Sequence, residues 1–283
     1  MSKSKSKRVI PGFKFTFGLT ITYLSLIVLI PLSALILNAG GININKFIEI
    51  VTNSRVMASF GVSIKCSFIA ALINAFFGVI LAWVLVRYDF PLKKFLDGII
   101  DLPFALPTAV AGISLTTLYS QNGFIGKYLY SIGIKSAFSE VGITIALIFI
   151  GIPFVVRSIQ PVLKEFDYSF EEAATMLGAG RVRTFFKVIL PEIFSPLIAG
   201  FGLAFARGIG EYGSVVFISG NMPMKTEIVP ILIRSKLEQY DYDGATAIGL
   251  VMLVVSFLIL IFTNLIENYT NKTVKEWWQY ERK

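Results

Sequence analysis

The chain contains 283 residues, of which 55% are hydrophobic and only 16% are charged. A soluble domain of this length carries about 25% charged residues, so the composition indicates a membrane protein. The chain has no histidine and a single cysteine, Cys66. These counts exclude Ser-His-Asp and Cys-His catalysis, histidine ligands for zinc and an intrachain disulfide. We expect no metal, no cofactor and no enzyme active site.

Six apolar segments are predicted to cross the membrane, because each approaches or exceeds the roughly 20 residues that a spanning helix needs. In chain order they are 17–37, 58–86, 99–119, 141–159, 193–218 and 245–266. The expected fold class is therefore an all-α, polytopic membrane protein in the lipid bilayer. Pro103, Pro107 and Gly112 fall in the third segment and predict a broken or kinked helix there.

The distribution of lysine and arginine predicts how these segments are oriented. Most of the 26 basic residues are concentrated in 1–16, 87–98, 157–187 and 267–283. With six spans these four stretches share one side of the membrane, and the positive-inside rule makes that side cytoplasmic. Both termini are then cytoplasmic, as a basic arm at 1–16 and a tail at 267–283. Because the charges flank spans and form no separate patch, we expect no nucleic-acid partner.

A polar insert, 160–192, interrupts the apolar pattern and falls on the cytoplasmic side in this topology. Ser169 and Glu172 have the spacing of a capping box, in which each side chain binds the backbone of the other residue. This cap begins a helix, and Gly178 and Gly180 favour a left-handed conformation that ends it. The insert is therefore predicted to lie along the membrane surface rather than through it.

The rest of the insert predicts a second, basic helix over 181–190, which stops before Pro191. The whole pattern resembles the EAA loop of ABC importer permeases, a short cytoplasmic helix that fits a groove on the ATP-binding subunit. The residues that the resemblance assigns to this contact are Glu171, Glu172, Ala173, Ala174, Gly178 and Pro191.

The resemblance implies an ABC type I importer permease fold, with a five-helix core at 58–266 and a coupling loop at 165–191. It also implies two copies of an ABC ATP-binding subunit as partners. The sequence lacks the Gly-x-x-x-x-Gly-Lys-[Ser/Thr] phosphate loop. ATP hydrolysis is therefore expected in a separate chain, and this chain is expected to be a translocation subunit, not an enzyme.

Two stretches, 102–126 and 210–233, resemble the permease subunits of sulfate and thiosulfate importers, and most of all the first of their two paralogous subunits. This resemblance implies a second paralogous permease subunit and an extracytoplasmic sulfate-binding protein as partners. Molybdate and tungstate permeases share the pattern Gly210-Glu211-aromatic-Gly213, so these anions are an alternative. The expected location is the plasma (inner) membrane, with a plastid membrane as the alternative because such permeases can be organelle-encoded.

The fifth predicted span holds two charged residues, Arg207 and Glu211, which are expected on one face of a helix. Charged residues within spans commonly face a cavity and mark a pathway. Arg207, Glu211 and the Thr108 hydroxyl are therefore candidates for anion translocation, with Glu211 setting the rotamer of Arg207. The same spacing also fits a buried structural ion pair. In a third interpretation, Glu211 accepts protons in an ion-coupled secondary anion transporter.

Overall fold

The computed structural model describes the backbone of residues 13–281 and the side chains of residue 13 and residues 15–270. Residues 1–12 of the predicted basic arm lie outside this range, as do the side chains of 271–283 in the predicted tail. In chain order the α-helices are α1 (Phe13–Leu24), α2 (Ile30–Gly40), α3 (Ile44–Thr52), α4 (Ser54–Arg87), α5 (Lys93–Ile100), α6 (Leu102–Ala105), α7 (Thr108–Tyr119), α8 (Gly126–Ser131), α9 (Glu140–Glu165), α10 (Ser169–Met176), α11 (Arg181–Thr184), α12 (Leu190–Ile209), α13 (Val215–Ile218), α14 (Val229–Glu238) and α15 (Tyr242–Glu281). Two π-helical turns occur as well, Ser25–Leu29 between α1 and α2 and Phe185–Ile189 between α11 and α12.

Five helical stretches of the described chain are long and apolar enough to cross a membrane. They are Phe15–Gly40, Ser54–Arg87, Glu140–Glu165, Arg181–Ile209 and Tyr242–Thr270. A sixth, shorter apolar helix is α7. The prediction of an all-α polytopic protein is therefore confirmed, and the third of the six predicted spans consists of short helices in place of one long one.

The break in the third span lies at Leu106 and Pro107. Leu106 has an extended backbone, with φ −82° and ψ 135°, because a residue that precedes proline is sterically excluded from the helical region. Pro103 stands in the first turn of α6, where its missing N–H would have no partner within the helix anyway. The predicted helix over 99–119 is thus divided into the end of α5, α6 and α7.

The fifth span begins twelve residues earlier than predicted, and the expected helix stop before Pro191 is wrong. The helix Arg181–Ile209 is continuous and consists of α11, the π-helical turn Phe185–Ile189 and α12. A proline inside a helix normally clashes with the carbonyl four residues earlier, which here belongs to Lys187. Because Lys187 lies in the π-helical turn, the wider local winding displaces that carbonyl and Pro191 is accommodated.

The centre of the molecule is formed by α4, α9 and α12, which approach one another through small residues. A Cβ atom added to Gly78 on α4 would lie 2.6 Å from Cγ1 of Val155 on α9. One added to Gly200 on α12 would lie 2.8 Å from the Cα atom of Val155. Small residues at such crossings permit close backbone packing where lipid provides no hydrophobic driving force between helices. The core cluster around this contact includes Val155, Val156, Ile159, Leu163, Ile193 and Ile209.

The remaining spans surround this centre. Helix α15 packs on α12, where a Cβ atom at Gly202 would lie 2.6 Å from Oγ1 of Thr263. The first span, Phe15–Gly40, contacts α15 through α2, yet its most apolar window contains no buried residue. On the side opposite α10, Arg55 at the start of α4 forms a two-point ion pair with Glu227, at 2.8 Å and 2.7 Å.

Candidate functional site

Helix α10 carries four of the six residues that the resemblance assigns to coupling, and its start differs from the predicted capping box. The backbone N–H of Ser169 donates to Oδ1 of Asp167 at 2.9 Å. Tyr168 is the N-cap and already has helical dihedral angles, so Ser169 belongs to the helix and does not cap it. The Glu172 N–H donates to the Tyr168 carbonyl at 3.1 Å. The capping box is therefore wrong, and Asp167 supplies the cap in its place.

The end of α10 has the predicted glycine stop. Gly178 has φ +81°, a left-handed conformation that favours glycine. The Gly178 N–H donates to the Thr175 carbonyl at 2.9 Å, and the Ala179 N–H to the Ala174 carbonyl at 3.0 Å. These two bonds form a Schellman motif, which satisfies carbonyls at the helix end. Only residues 177–180 then separate α10 from the long helix Arg181–Ile209.

The end of α10 and the start of α11 expose apolar side chains. Met176 and Leu177 are each 90% exposed, and Val182 is also exposed. Glu172 and Ala173 are exposed as well, whereas Ala174 is half-buried. We call Glu172, Ala173, Met176, Leu177 and Val182 the exposed patch. Pro191, the last residue assigned to coupling, is half-buried within the long helix.

Glu171 is directed away from the exposed patch and towards α4. Its Oε1 lies 2.5 Å from Nη2 of Arg87, the last residue of α4, whose side chain is only 5% exposed. The guanidinium carbon of Arg87 lies 4.0 Å from the ring centroid of Tyr168 and 5.4 Å from that of Trp83. In the sequence, Arg87 is recognisable only as one of the basic residues that orient the spans in the membrane. Its position at the end of a span, beside Trp83, was the available signal for a further role.

A second ion-pair network, also missed by the sequence reasoning, attaches α5 to α9. Arg157 donates to Asp101 through Nε at 2.8 Å and through Nη2 at 2.6 Å. It donates to Oδ1 of Asp97 through Nη1 at 2.7 Å. Gln160 donates to the same Asp97 oxygen at 3.1 Å, and together with Arg157 it lowers the pKa of that carboxyl. The network fixes α5 to the end of α9 that leads into α10.

Arg207 and Glu211 form the expected ion pair, although Glu211 is not on the helix. Helix α12 ends at Ile209 and not at 218, so Glu211 lies in the following turn, with Oε2 2.7 Å from Nη1 of Arg207. Its other oxygen accepts from the backbone N–H of Ser214 at 2.9 Å and from the Ser214 hydroxyl at 3.0 Å. The Glu211 side chain is 1% exposed and that of Arg207 is 39% exposed. The buried carboxylate therefore fixes the position of an accessible guanidinium.

Thr108 lies against the same turn. A Cβ atom at Gly213 would lie 2.1 Å from Oγ1 of Thr108, and one at Gly112 would lie 2.4 Å from the carbonyl oxygen of Ser214. The segment 210–214, here called the charged turn, is therefore in direct backbone contact with α7, and this contact places Thr108 beside it. The hydroxyls of Thr116 and Thr117 donate to carbonyls four residues earlier in α7. These two hydroxyls are thus engaged within their own helix.

The charged turn has a further basic neighbour, to which the sequence analysis assigns no role. Arg234 on α14 donates to the hydroxyl of Tyr212, and its guanidinium carbon lies 5.6 Å from the Tyr212 ring centroid. It also donates to Glu238 at 2.8 Å. Consecutive residues of the turn, Glu211 and Tyr212, therefore each bind a different arginine.

Comparison with known proteins gives both a family and a fold. The model of the family described as "Binding-protein-dependent transport system inner membrane component" matches residues 74–275, which include α10 and the charged turn. The sulfate transport system permease protein CysT of Salmonella typhimurium is 44% identical over 95% of this chain and 97% of its own length. The protein of the same name from Synechococcus elongatus is 46% identical over 91% of this chain and 93% of its own length.

Among solved structures, a bacterial ABC transporter involved in the import of the acidic polysaccharide alginate has a similar chain. The TM-score is 0.75 at 17% sequence identity, covering 91% of this chain and 96% of that one. At this identity the likeness concerns the fold, and it confirms the predicted ABC importer permease fold. Because the family model spans most of the chain, the protein belongs to the family of binding-protein-dependent transport system inner membrane components.

Proposed function

We propose that this chain is the membrane-spanning permease subunit of an ATP-driven ABC importer for sulfate or thiosulfate. The observation that carries the proposal is the 44% and 46% identity to sulfate transport system permease proteins. These matches extend over at least 91% of this chain and at least 93% of each relative's own length. Molybdate or tungstate is the alternative cargo.

We assign the exposed patch to the docking of an ABC ATP-binding subunit, two copies of which would serve the importer. Met176 and Leu177 are almost fully exposed, and a cluster of exposed apolar side chains indicates a protein partner. Glu172 and Ala173 would touch that partner directly. Glu171 would hold α10 in place from behind, Ala174 would support it, Gly178 would terminate it, and Pro191 would shape the long helix that follows.

This arrangement gives the importer a mechanical route. A helix of 29 residues, Arg181–Ile209, rises about 43 Å at 1.5 Å per residue. Its first turn follows α10 after residues 177–180, and its last turn carries Arg207. Movement of α10 by the ATP-binding subunits would therefore displace one rigid helix whose far end carries the charged turn. Alternating access of the anion path would follow from that displacement.

The further partners of the importer follow the family. The family's description names dependence on a binding protein, and we propose an extracytoplasmic sulfate-binding protein as the source of the anion. A second paralogous permease subunit would complete the path. Both termini would be cytoplasmic, with the arm and the tail flanking the first helix and the five-helix core in a plasma (inner) membrane, or in a plastid membrane.

The docking assignment is tested by introducing a charge into the exposed patch. Leu177→Asp should prevent copurification of the ATP-binding subunit, because it places a carboxylate in an interface core, while the permease remains folded. Ile132→Asp is the matched control, since Ile132 is an exposed apolar residue outside the patch, in the connection between α7 and α9. Undiminished copurification with Leu177→Asp would refute the assignment.

A further inference from the structure

An open cleft is lined by helix α4, helix α10 and the start of the long helix Arg181–Ile209. The cleft has a volume of about 480 Å³ and lies between Ile80 and Trp83 of α4 and Glu171 and Thr175 of α10. The two helices therefore do not form a continuous packed interface here. The Arg87 side chain connects them, from the last residue of α4 to Glu171.

The Arg87 side chain is buried, and Glu171 is its one ion-pair partner among the described residues. Its Nη2 donates to Glu171, whereas its Nε and Nη1 have no hydrogen-bond partner among the described residues. Rings of Tyr168, Trp83 and Phe166 surround it and stabilise the positive charge through their faces. Removing one partner of a buried ion pair leaves a desolvated charge, so separating Arg87 from Glu171 is strongly unfavourable.

The same cluster reaches a third element. The ring of Trp83 meets that of Phe185 edge to face, with centroids 5.6 Å apart. Phe185 begins the π-helical turn of the long helix Arg181–Ile209. The side chains around Arg87 therefore join the end of the second span, the start of α10 and the first part of the fifth span.

We propose that Arg87, Trp83, Tyr168 and Glu171 form a latch that makes the second span move with α10. Without the latch, α10 acts directly only on the spans to which the chain joins it, namely α9 and the long helix Arg181–Ile209, and it reaches α4 only through them. With it, a displacement of α10 is also transmitted to α4, which packs against both of those spans. Arg87 is a positioning residue in this scheme. The proposal rests on the docking of an ATP-binding subunit to α10.

The test uses the assembled complex in liposomes and measures anion uptake and ATP hydrolysis in the same vesicles. Arg87→Gln should retain the ATP-binding subunit, because the exposed patch is unchanged, and should retain ATP hydrolysis. Uptake per ATP hydrolysed should fall about tenfold, which is a typical coupling between two sites. Glu171→Gln should give the same loss, and the double variant should be no worse than either single variant, because both remove one interaction.

Two further variants distinguish the loss of the latch from a general folding defect. Tyr168→Leu keeps the ion pair and removes the closest ring, so it should cause a smaller loss of uptake per ATP. Lys93→Gln is the matched control: it breaks the Lys93–Asp89 pair just after α4, at 2.9 Å, in which Asp89 is exposed. Such surface pairs contribute little, so Lys93→Gln should behave like the wild type.

The outcomes separate the latch from the docking proposal. Failure of the wild-type chain to copurify with an ATP-binding subunit would overturn the docking proposal and the latch with it. Wild-type assembly together with unchanged uptake per ATP in Arg87→Gln would overturn the latch alone. An Arg87→Gln permease that loses its ATP-binding subunit would place Arg87 in the docking surface and would also overturn the latch.

Discussion

Gly112 and Gly213 determine how closely the charged turn approaches α7. Each lacks a side chain where a Cβ atom would fall within 2.4 Å of the opposite segment, the Ser214 carbonyl for Gly112 and the Thr108 hydroxyl for Gly213. The Gly112 contact is to backbone, which cannot rotate out of the way. The position of Glu211, and through it that of Arg207, therefore depends on this contact.

Gly112→Ala should reduce the free energy of unfolding by about 1–3 kcal/mol, the usual cost of overpacking a close contact. Gly61→Ala is the control, since Gly61 lies on α4 with no atom within 4 Å of its added Cβ. Denaturant unfolding of the purified permease measures both. Equal stability of the two variants would contradict the close approach of α7 and the turn.

The exposure of the Arg207 side chain distinguishes between a residue of the anion pathway and a member of a buried structural ion pair. A purely structural pair would bury both partners, whereas here the carboxylate is buried and the guanidinium is accessible. Both oxygens of Glu211 already accept from Arg207 or Ser214. Glu211 therefore suits a fixed support for Arg207 better than a proton acceptor that changes partners, which argues against the secondary-transporter interpretation.

Arg207→Gln should reduce anion uptake at least about tenfold while the complex assembles normally, because an accessible charge in the path is lost. The double variant Arg207→Gln with Glu211→Gln removes the stranded carboxylate as well, and it should remain inactive. The uptake of radiolabelled anion is compared between the wild type, the single variant and the double variant. Recovery of transport in the double variant would show that the pair is structural.

At the scale of single residues, the sequence predicted the ion pair and the glycine stop but not the helix cap. Charge spacing and left-handed glycine are local properties, so Arg207, Glu211 and Gly178 could be interpreted without a fold. Asp167 and Ser169 both match an N-cap, and the dihedral angles of Tyr168 decide between them. Arg87 and Arg157 find partners 84 and 56 residues away, which no local pattern reveals.

At the scale of elements, α5 depends on the Arg157 network for its position beside α9. Arg157 reaches Asp97 and Asp101 at once, and Gln160 shares Asp97 with it. The hydrogen bond from Gln160 and the nearby Arg157 lower the pKa of Asp97 below its ordinary value of 3.8. A carboxyl whose pKa is lower in the folded state stabilises the fold above its ordinary pKa, and this contribution disappears as the pH falls through the folded value.

Acidification from about pH 6 to about pH 3 should therefore destabilise the wild type more than Asp97→Asn, which has no carboxyl to protonate. Asp89→Asn is the matched control, because Asp89 lies in the nearby segment between α4 and α5 and its side chain is exposed. The pH dependence of the thermal unfolding midpoint gives the comparison. Parallel curves for wild type and Asp97→Asn would contradict a stabilising role of the Asp97 carboxylate.

The boundaries of the fifth span show where hydropathy fails as a guide to elements. Because the basic stretch at 181–187 is polar, hydropathy predicts that the fifth span begins only at residue 193. Helix formation does not require apolar residues, and the helix extends past the apolar segment into the polar one. The predicted helix stop before Pro191 fails for a different reason. The π-helical turn Phe185–Ile189, which accommodates Pro191, cannot be recognised from the composition.

At the scale of the whole molecule, composition alone indicates a polytopic helical protein. Of the six apolar segments predicted as spans, five correspond to long apolar helices of the described chain, and the third is divided into short helices. The break in the third span was predictable because Pro107 restricts the residue before it. The packing of α4, α9 and α12 through Gly78 and Gly200 was not, because it depends on which helices are neighbours. The peripheral first span, joined mainly to α15, leaves one side of the molecule open to lipid or to a second subunit.

We propose that this chain carries sulfate through the membrane at the expense of ATP hydrolysed by another chain. The most direct test is radiolabelled sulfate uptake by proteoliposomes that contain the permease pair and its ATP-binding subunits, with the binding protein supplied on the opposite face. We predict uptake that requires ATP and the binding protein and is insensitive to a protonophore. Uptake that proceeds without ATP and disappears with the proton gradient would contradict the account.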